Sequence, residues 1–374
     1  MNNKYIIFGE EHFNPLGLIR SLGENGIKPI AIIIKNKRPV ASKSKYISKL
    51  HIVNSIQEGY ELLLKEYGTE KLKPFVFTSD DQVTSYLDAR YEEIKKIFYF
   101  YNAGEANRIS YFMNKDNINN LAIKHGLNVA KSWSVDKGEI PEDIEYPIMT
   151  KAIISTIENW KDDVFICNND EELKKAYKNI KSKKILLQKY IQKKDEIEIE
   201  GFVVNRGKNA FYAVEINLNY ILEDKYSHYT TVKNFENIEL QTKINEIFKE
   251  IGFEGIFEVE FLVGQDDKLY FLEINFRPSA WNYSATVAKM PLPLLWAEGM
   301  NDASIVNNCY KEFKEFTAMS EPDDFRNRVK THKIGFLKWL KQMLGCKCLY
   351  YINKKDMKPF WSIINVKLKG KNWV

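Results

Sequence analysis

A strand–turn–strand segment constrains this chain more than any other feature of its sequence. Residues 257–263 and 269–277 each alternate polar and apolar side chains, as strands with one buried face do. A tight turn centred on residues 266–267 would place Glu260 directly opposite Glu273 on the neighbouring strand. Like charges in that position repel each other. The segment therefore predicts a hairpin with concentrated charge on one face.

The second strand of this hairpin carries three polar side chains at alternate positions. Glu273, Asn275 and Arg277 share one face, because side chains of a strand alternate between its two sides. Carboxylate and amide oxygens suit Mg²⁺, which usually keeps waters and binds through substrate phosphates, and an arginine fork suits a phosphate oxygen. With Glu260, the face is interpreted as a metal–triphosphate site. A solvated hairpin face with cross-strand ion pairs is the alternative that the residue types leave open.

The tract from Glu260 to Arg277 resembles the signature end of the ATP-grasp superfamily, in which a Glu precedes a Glu-x-Asn-x-Arg strand. The resemblance implies ATP as the nucleotide. It also implies that Glu260, Glu273 and Asn275 hold Mg²⁺, or Mn²⁺ in its place. Arg277 would meet the phosphates as a catalytic residue.

Two upstream lysines match the same family. The segment around Lys115 resembles the one that opens the ATP-grasp fold, although Asn114 replaces the family's Asp and no proline follows Leu127. The strand that ends at Lys151 matches the family's Pro-apolar-apolar-x-Lys strand. The resemblance implies that Lys115 contacts phosphate and that Lys151 both binds the nucleotide and takes part in catalysis. A compact ammonium serves phosphate as a point charge.

The family usually continues from this strand into a glycine-rich flap over the phosphates. Residues 152–164 contain no glycine. Lys161, or the hydroxyls of Ser155 and Thr156, are the candidates to replace the flap.

Residues 184–191 resemble the hinge strand against which adenine stacks. Asp195 stands seven residues after Gln188, at the spacing of the family's ribose-binding acid, and Glu198 is the second candidate. The resemblance assigns the remaining nucleotide contacts to the hinge strand, namely Gln188, Lys189, Tyr190 and Ile191.

Polar residues after two strands are candidates for binding the other substrates. Relatives often follow the arginine with a Gly-Ser pair that contacts the acceptor carboxylate, and this chain offers Ser279, Asn282 and Ser284. The alternative is a loop that only caps the next helix. Residues 79–81 also either cap a helix or line a substrate crevice at the end of a strand.

The first hundred residues read as an α/β domain. Strands are predicted at residues 5–9, 29–34 and 75–78, and helices at residues 16–25 and 83–96. Such a domain precedes ATP-grasp modules. The predicted fold class is therefore α/β, with α+β character in the nucleotide part: an N-terminal α/β domain, a two-lobed ATP-grasp fold and a basic C-terminal extension.

The predicted domain limits follow from these patterns. The N-terminal domain spans residues 1–108, and the ATP-grasp domain spans residues 109–304 with a small lobe at about 127–192. The extension spans residues 305–374. A chain of 374 residues is long enough for two or three such cores.

The extension is strongly basic. Residues 326–374 hold thirteen Lys and Arg against the single acid Asp356, in a chain whose overall net charge is +5. Residues 335–344 space their apolar side chains like an amphipathic helix with lysines on its wet side. One hypothesis is that residues 335–374 contact a membrane or another anionic surface; the other is a helix docked on its own domain.

Several functional classes are excluded or disfavoured by the sequence. It has no Gly-x-x-x-x-Gly-Lys-Ser/Thr loop and no protein-kinase signature, and its aromatic-basic stretches are too short to predict nucleic-acid binding. No signal segment and no run of about 18 apolar residues is present, so a cytoplasmic protein is expected.

The resemblance implies an ADP-forming carboxylate–amine ligase that works through an acyl phosphate. Its substrates would be a small-molecule carboxylate and an amine, and its layout is similar to the superfamily's amino-acid ligases, D-aspartate ligases among them. A homodimer fits this class. Two alternatives stay open: a phosphotransferase that stops after moving phosphate, and a nucleotide-binding scaffold with a spent site.

Overall fold

The computed structural model describes residues 3–36, 38–152, 163–221 and 227–368. Contacts divide the chain into two compact units. The first unit comprises Met1–Ile109, Glu198–Glu258 and Asn275–Val374, and the second comprises Ser110–Ile197 and Val259–Ile274. Within the described part of the chain, no helix is both long and apolar enough to cross a bilayer.

The first unit opens with a four-stranded parallel sheet of order β3-β2-β1-β4. Its strands β1, β2 and β4 are continuous apolar runs and are almost completely buried, as expected for a parallel sheet covered on both faces. The elements of this part are β1 (Tyr5–Glu10), α1 (Phe13–Glu24), β2 (Ile30–Ile34), β3 (Lys49–Val53), α2 (Ile56–Tyr67), β4 (Phe75–Thr78), α3 (Asp81–Asp88) and α4 (Tyr91–Ile94).

Two predicted helix boundaries in this part were wrong. Helix α1 begins three residues before the predicted start, because the ring of His12 caps it by accepting from the Asn14 N–H at 3.2 Å. The predicted helix over residues 83–96 is two short helices, α3 and α4. The carbonyl oxygen of Asp88 accepts from the Asn107 N–H at 3.3 Å, so this carbonyl bonds outside the helix and α3 ends there.

The second unit contains a four-stranded antiparallel sheet of order β5-β8-β6-β7. One face of this sheet packs on helix α7 through Leu173, Ala176 and Tyr177, which form a core with Ile148 and Leu187. The elements are α5 (Arg108–Phe112), α6 (Lys115–Lys124), β5 (Ser132–Asp136), β6 (Ile148–Ala152), β7 (Ile166–Cys167), α7 (Asp170–Asn179) and β8 (Lys184–Lys189).

The third sheet has seven strands in the order β13-β12-β9-β10-β11-β14-β15. Strands β9, β12 and β13 each have residues in both units, whereas the other four belong to the first unit. The strands are β9 (Lys193–Val204), β10 (Asn209–Leu218), β11 (Tyr229–Lys233), β12 (Gly255–Gly264), β13 (Leu269–Asn275), β14 (Phe316–Met319) and β15 (Cys348–Leu349). The remaining helices are α8 (Ile238–Ile251), α9 (Tyr283–Val287), α10 (Leu292–Asn301), α11 (Glu321–Asp324), α12 (Phe336–Gly345) and α13 (Lys358–Leu368).

The predicted fold class is confirmed: an α/β domain with a parallel sheet is followed by antiparallel sheets. The hairpin of β12 and β13 is present. Its turn is centred on Asp266, whereas the prediction centred it between Asp266 and Asp267. The Gly264 N–H donates to the Lys268 carbonyl at 2.9 Å, and the Asp267 N–H donates to the Gly264 carbonyl at 3.0 Å. Asp267 has a φ of 60°, which is a left-handed conformation that aspartate tolerates in turns.

Within the first unit, a buried guanidinium links the C-terminal region to helix α1. Arg20 of α1 donates to the carbonyls of Tyr350 at 2.7 Å and Tyr351 at 3.0 Å, and its Nε donates to the Asp356 carboxylate at 3.1 Å. The same carboxylate accepts from the Ser44 hydroxyl at 2.8 Å. Residues 350–356 are therefore attached to helix α1 by hydrogen bonds that water does not reach.

We expect Arg20→Met to lower the free energy of unfolding by about 3–5 kcal/mol, because it leaves Asp356 buried without its charged partner. Urea denaturation followed by tryptophan fluorescence measures this change. Lys4→Met is the control, since it breaks the exposed pair with Glu70 and should cost about 1 kcal/mol or less. Equal losses in the two variants would contradict this account of the buried pair.

Candidate active site

Lys151 lies at the centre of a charged cluster in the second unit. Strand β6 pairs with β8 so that Lys151 lies opposite Leu186 and Met149 lies opposite Gln188. Because side chains alternate along a strand, Lys151 and Gln188 share the face of the sheet that points away from α7. The Lys151 ammonium donates to the Gln188 Oε1 at 2.7 Å. The structure thus brings together two residues that the sequence assigned to the nucleotide.

The electrostatic surroundings of Lys151 involve four further ionised side chains. Its pKa is lowered to about 8, first because burial strips water from the ammonium and then because Lys115 repels it. The carboxylates of Glu273, Glu196 and Glu260 raise the pKa and so act in the opposite direction. Two cations and three anions therefore share one field. The lysines favour a phosphate ligand, and the carboxylates favour a metal cation.

Lys115 is held at the start of helix α6. Asn114, which replaces the family's Asp, caps this helix by accepting from the Asp116 N–H at 2.9 Å and the Asn117 N–H at 3.4 Å. Lys115 itself is only 8% exposed. A lysine is rarely buried without a role for its charge, so its burial beside Lys151 sets it apart from an ordinary surface lysine.

The hinge residues after β8 use part of their backbone within the second unit. The Lys189 N–H donates to the Lys131 carbonyl at 2.8 Å, and the Tyr190 N–H donates to the Pro147 carbonyl at 2.9 Å. The Lys189 ammonium donates to the Tyr146 carbonyl at 2.9 Å. These bonds fix the position of the hinge. The N–H groups of Lys189 and Tyr190 are therefore already used within the second unit.

Strand β9 carries a row of acidic residues. Asp195 is half-buried and accepts from the Glu196 N–H at 2.8 Å. Glu196 is buried, pairs with Lys193 at 2.6 Å and acts on Lys151. Glu198, the second predicted acid, is also buried. Sequence reasoning missed Glu196, although the alternation of glutamates with isoleucines from residue 196 onward could have indicated it.

In the first unit, Asn275 and Arg277 are held by acidic partners. The Asn275 Nδ2 donates to the Glu258 carboxylate at 2.9 Å, which directs the amide oxygen away from Glu258. The Arg277 guanidinium donates to both carboxylate oxygens of Asp81, at 3.0 Å and 3.4 Å, and lies 3.6 Å from Glu258. Asp81 was predicted to cap a helix or line a crevice. The structure shows that Asp81 contacts Arg277. The sequence analysis did not predict a role for Glu258.

A buried carboxylate lies beside this group. The pKa of Glu200 is raised to about 8, first by burial and then by the Glu258 charge, while Ser279 and Arg277 oppose the shift. The Ser279 hydroxyl donates to the Glu200 carboxylate. Glu200 is completely buried, so the Ser279 hydroxyl serves as a hydrogen-bond partner for a buried group.

The other two candidates for acceptor binding are also buried. The Asn282 Nδ2 donates to the Asn14 Oδ1 at 2.8 Å, and Ser284 has no exposed surface. The structure therefore places Ser279, Asn282 and Ser284 in the interior around α9 rather than on a surface.

The residues proposed to replace the glycine-rich flap, Ser155, Thr156 and Lys161, lie outside the described residues.

Comparison with known proteins agrees with this geometry. The family model of the ATP-grasp domain matches residues 120–281. This range includes Lys151, Glu196 and both strands of the hairpin with Glu260 and Glu273, and it begins after Lys115. Residues 120–281, somewhat less than half of the chain, therefore match an ATP-grasp domain.

Curated relatives match part of the chain. N5-carboxyaminoimidazole ribonucleotide synthase from Staphylococcus aureus (strain COL) is 29% identical over 157 residues, which cover 41% of this chain and 39% of that protein. The protein of the same name from Staphylococcus epidermidis (strain ATCC 12228) is 24% identical over 115 residues, 30% of each chain. The matches thus span well under half the length of these relatives.

Solved structures share the fold over most of the chain. The L-amino acid ligase from Bacillus licheniformis superimposes with a TM-score of 0.67 at 12% identity, covering 86% of this chain and 81% of that one. N5-carboxyaminoimidazole synthetase from Staphylococcus aureus, complexed with ADP, gives a TM-score of 0.66 at 14% identity, covering 88% and 86%. At these identities the likeness establishes the fold alone.

The charges around Lys151 predict opposite effects of two substitutions on its pKa. Lys115→Met should raise this pKa because it removes a repelling charge, and Glu273→Gln should lower it because it removes an attracting one. The pH dependence of lysine acetylation, mapped by peptide mass spectrometry, measures both shifts. Lys184→Met, at an exposed position of β8, should leave the pKa unchanged. Shifts in the same direction in both test variants would contradict the cluster.

Proposed function

We propose that this protein is an ATP-dependent, ADP-forming ligase that joins a carboxylate to an amine through an acyl phosphate. The observation that carries the proposal is the Lys151 cluster inside an ATP-grasp domain. There, the half-buried Lys151 lies in the field of the carboxylates of Glu196, Glu260 and Glu273 and of the buried Lys115, which precedes the matched residues. Such an arrangement can hold a nucleotide phosphate chain together with its metal ion.

The nucleotide would be bound along one face of the second unit. Lys115 and Lys151 supply positive charge to the phosphates, and Gln188 orients Lys151 through its hydrogen bond. Glu196 would act together with the acids assigned from the sequence, because it is buried and its charge raises the pKa of Lys151. The remaining contacts assigned in this unit are Lys189, Tyr190, Ile191 and Asp195, whereas Glu198, the second candidate for the ribose, belongs to the first unit.

The donor set fits magnesium. Within the described residues, no three His, Cys, Asp or Glu side chains are arranged to hold a metal ion by themselves. Mg²⁺ needs no such cage, because it usually binds through one or two carboxylates together with substrate phosphates and waters. Within the second unit, Glu260 and Glu273 would be its protein ligands, and Asn275 stays a ligand predicted from the sequence. When bound, the ion would neutralise charge on the phosphates.

The reaction needs positioning and positive charge more than covalent chemistry from the protein. An oxygen of the substrate carboxylate attacks the γ-phosphorus of ATP, and the bond from that phosphorus to the ADP oxygen breaks. The amine nitrogen then attacks the carbonyl carbon of the acyl phosphate, loses a proton and displaces phosphate. Lys151 would stabilise the charge that develops on the transferred phosphoryl group, and Arg277 would bind an oxygen of phosphate or carboxylate.

Similar proteins support this class without fixing its substrates. One relative is named an N5-carboxyaminoimidazole ribonucleotide synthase, and one structural neighbour is named an L-amino acid ligase. We propose a small carboxylate and an amine as substrates, with an amino acid and a cell-envelope or small-molecule acceptor as the first pair to test. The buried charges around Lys151 count against a spent site, because charged groups are costly to keep buried without use.

Hydroxylamine trapping tests the proposal. The protein is incubated with ATP, Mg²⁺ and pooled amino acids and small carboxylates, with and without hydroxylamine. We expect ADP, phosphate and a hydroxamate, because hydroxylamine captures an acyl phosphate. Glu273→Ala should lower hydroxamate formation by about 10²-fold or more, as loss of one stabilising group at a charged transition state does.

Glu239→Ala, at an exposed position of helix α8, serves as the matched control and should behave like the wild type. ADP formation with a stable phosphorylated product and no hydroxamate would show a phosphotransferase instead. ATP binding without ATP turnover, in the wild type as well as in Glu273→Ala, would favour a nucleotide-binding scaffold.

Asp81 should act on catalysis through Arg277. Asp81→Asn removes the charge that holds the guanidinium at two points, and a misplaced group commonly costs about 10²-fold in rate. We expect kcat to fall while the KM for ATP changes little, since the nucleotide contacts lie on other residues. Asp81→Glu should recover part of kcat. A changed thermal midpoint with unchanged kcat would mean that Asp81 only supports the fold.

A further inference from the structure

Among the described residues, helix α12 contacts the rest of the first unit along one side. Trp339 is buried, and its Nε1 donates to the Asp324 carboxylate at 2.8 Å. Gln342, three residues later, accepts from the Arg328 Nη1 at 2.9 Å. These contacts explain how the helix is held. They use side chains that project from a single side of it.

The opposite side of α12 exposes large apolar side chains. Leu337 is 79% exposed and Leu344 is 73% exposed. Phe336, at the edge of this side, is 51% exposed, and its ring also contacts Phe325 and Trp339. At 100° per residue these three lie within about one quarter to one third of the helix circumference, so they form one stripe. Scattered exposed apolar residues need no explanation, but a stripe on one short helix indicates a contact surface.

Lysines border this stripe. Lys338 and Lys341 are exposed on the flank of the helix, and Lys333 and Lys347 are exposed just before and after it. The one acid among residues 326–374, Asp356, is buried against Arg20 and adds no negative charge to the surface. The surface of α12 is therefore apolar along its centre and positive at its edge.

We propose that α12 is a membrane-docking helix that lies in the interface of an anionic phospholipid bilayer. Phe336, Leu337 and Leu344 would enter the boundary between headgroups and acyl chains, while Lys338 and Lys341 contact lipid phosphates. This combination of an apolar stripe and flanking lysines is what an interfacial helix requires. The helix is short, so the docking is reversible and weakens as salt screens the lysines.

Charge also decides between a membrane and a second copy of the chain. In a two-fold symmetric contact the same surface meets itself, so the lysines at the edge of one α12 would face those of the other. No acid within residues 326–355 is available to balance them. A bilayer with anionic headgroups supplies both the apolar layer and the negative charge.

Vesicle co-sedimentation of the full chain tests the proposal. Vesicles of phosphatidylcholine are compared with vesicles that also contain phosphatidylglycerol. We expect binding to the anionic vesicles and little to the neutral ones. The double variant Leu337→Gln with Leu344→Gln should bind anionic vesicles at least about tenfold more weakly than the wild type, because two exposed apolar side chains no longer enter the membrane. Lys338→Gln with Lys341→Gln should lose most of the preference for anionic lipid.

Ile238→Gln is the matched control, because Ile238 is 68% exposed at the start of helix α8. It should bind as the wild type does. Unchanged ATP turnover and thermal midpoints in all variants, measured without vesicles, would show that the fold is intact.

Three results would overturn the proposal. One is no binding to anionic vesicles by the wild type. The second is equal binding by the wild type and the Leu337/Leu344 double variant. The third is a concentration-dependent dimer in solution that this double variant abolishes without any vesicle binding, which would assign the stripe to a second copy of the chain.

Discussion

Glu196, Glu198 and Glu200 alternate along β9 and are all buried, so the fold must place positive charge near such groups or, as the raised pKa of Glu200 indicates, keep them protonated. Within the second unit, Lys151 supplies that charge for Glu196, together with Glu260 and Glu273. Within the first unit, Arg277 does so for Glu258 and Asp81. The acids are paired with cations that a ligase of this class would need for phosphate. The same charges therefore serve folding and chemistry.

Local sequence patterns predicted the parts of the site that depend on one or two strands. The alternation in residues 257–277 predicted the hairpin, and the Pro-apolar-apolar-x-Lys pattern predicted the strand that ends at Lys151. Helix caps such as Asn114 and Asp80 also follow from local rules. What local patterns did not predict was the set of partners. Asp81 and Arg277 are 196 positions apart, so no spacing rule connects them.

The errors have the same physical origin. Helix α1 starts early because a histidine ring caps it, and α3 stops because Asp88 bonds to Asn107 across a loop. The lysines that dominate the composition of the C-terminal region did not indicate how this region is held. Its attachment depends instead on Arg20, a residue more than three hundred positions earlier. Charge composition describes the surface of that region, where α12 carries its lysines, but not the buried contacts that hold it.

The central claim is that ATP activates a carboxylate, and transfer of labelled oxygen tests it most directly. Pooled amino acids and small acids whose carboxylates carry ¹⁸O are turned over with ATP and Mg²⁺, and the released phosphate is analysed by mass spectrometry. The account predicts that the phosphate contains one ¹⁸O, because an acyl phosphate takes its bridging oxygen from the substrate carboxylate and gives it up with the phosphate. ATP turnover that releases phosphate without ¹⁸O would contradict it.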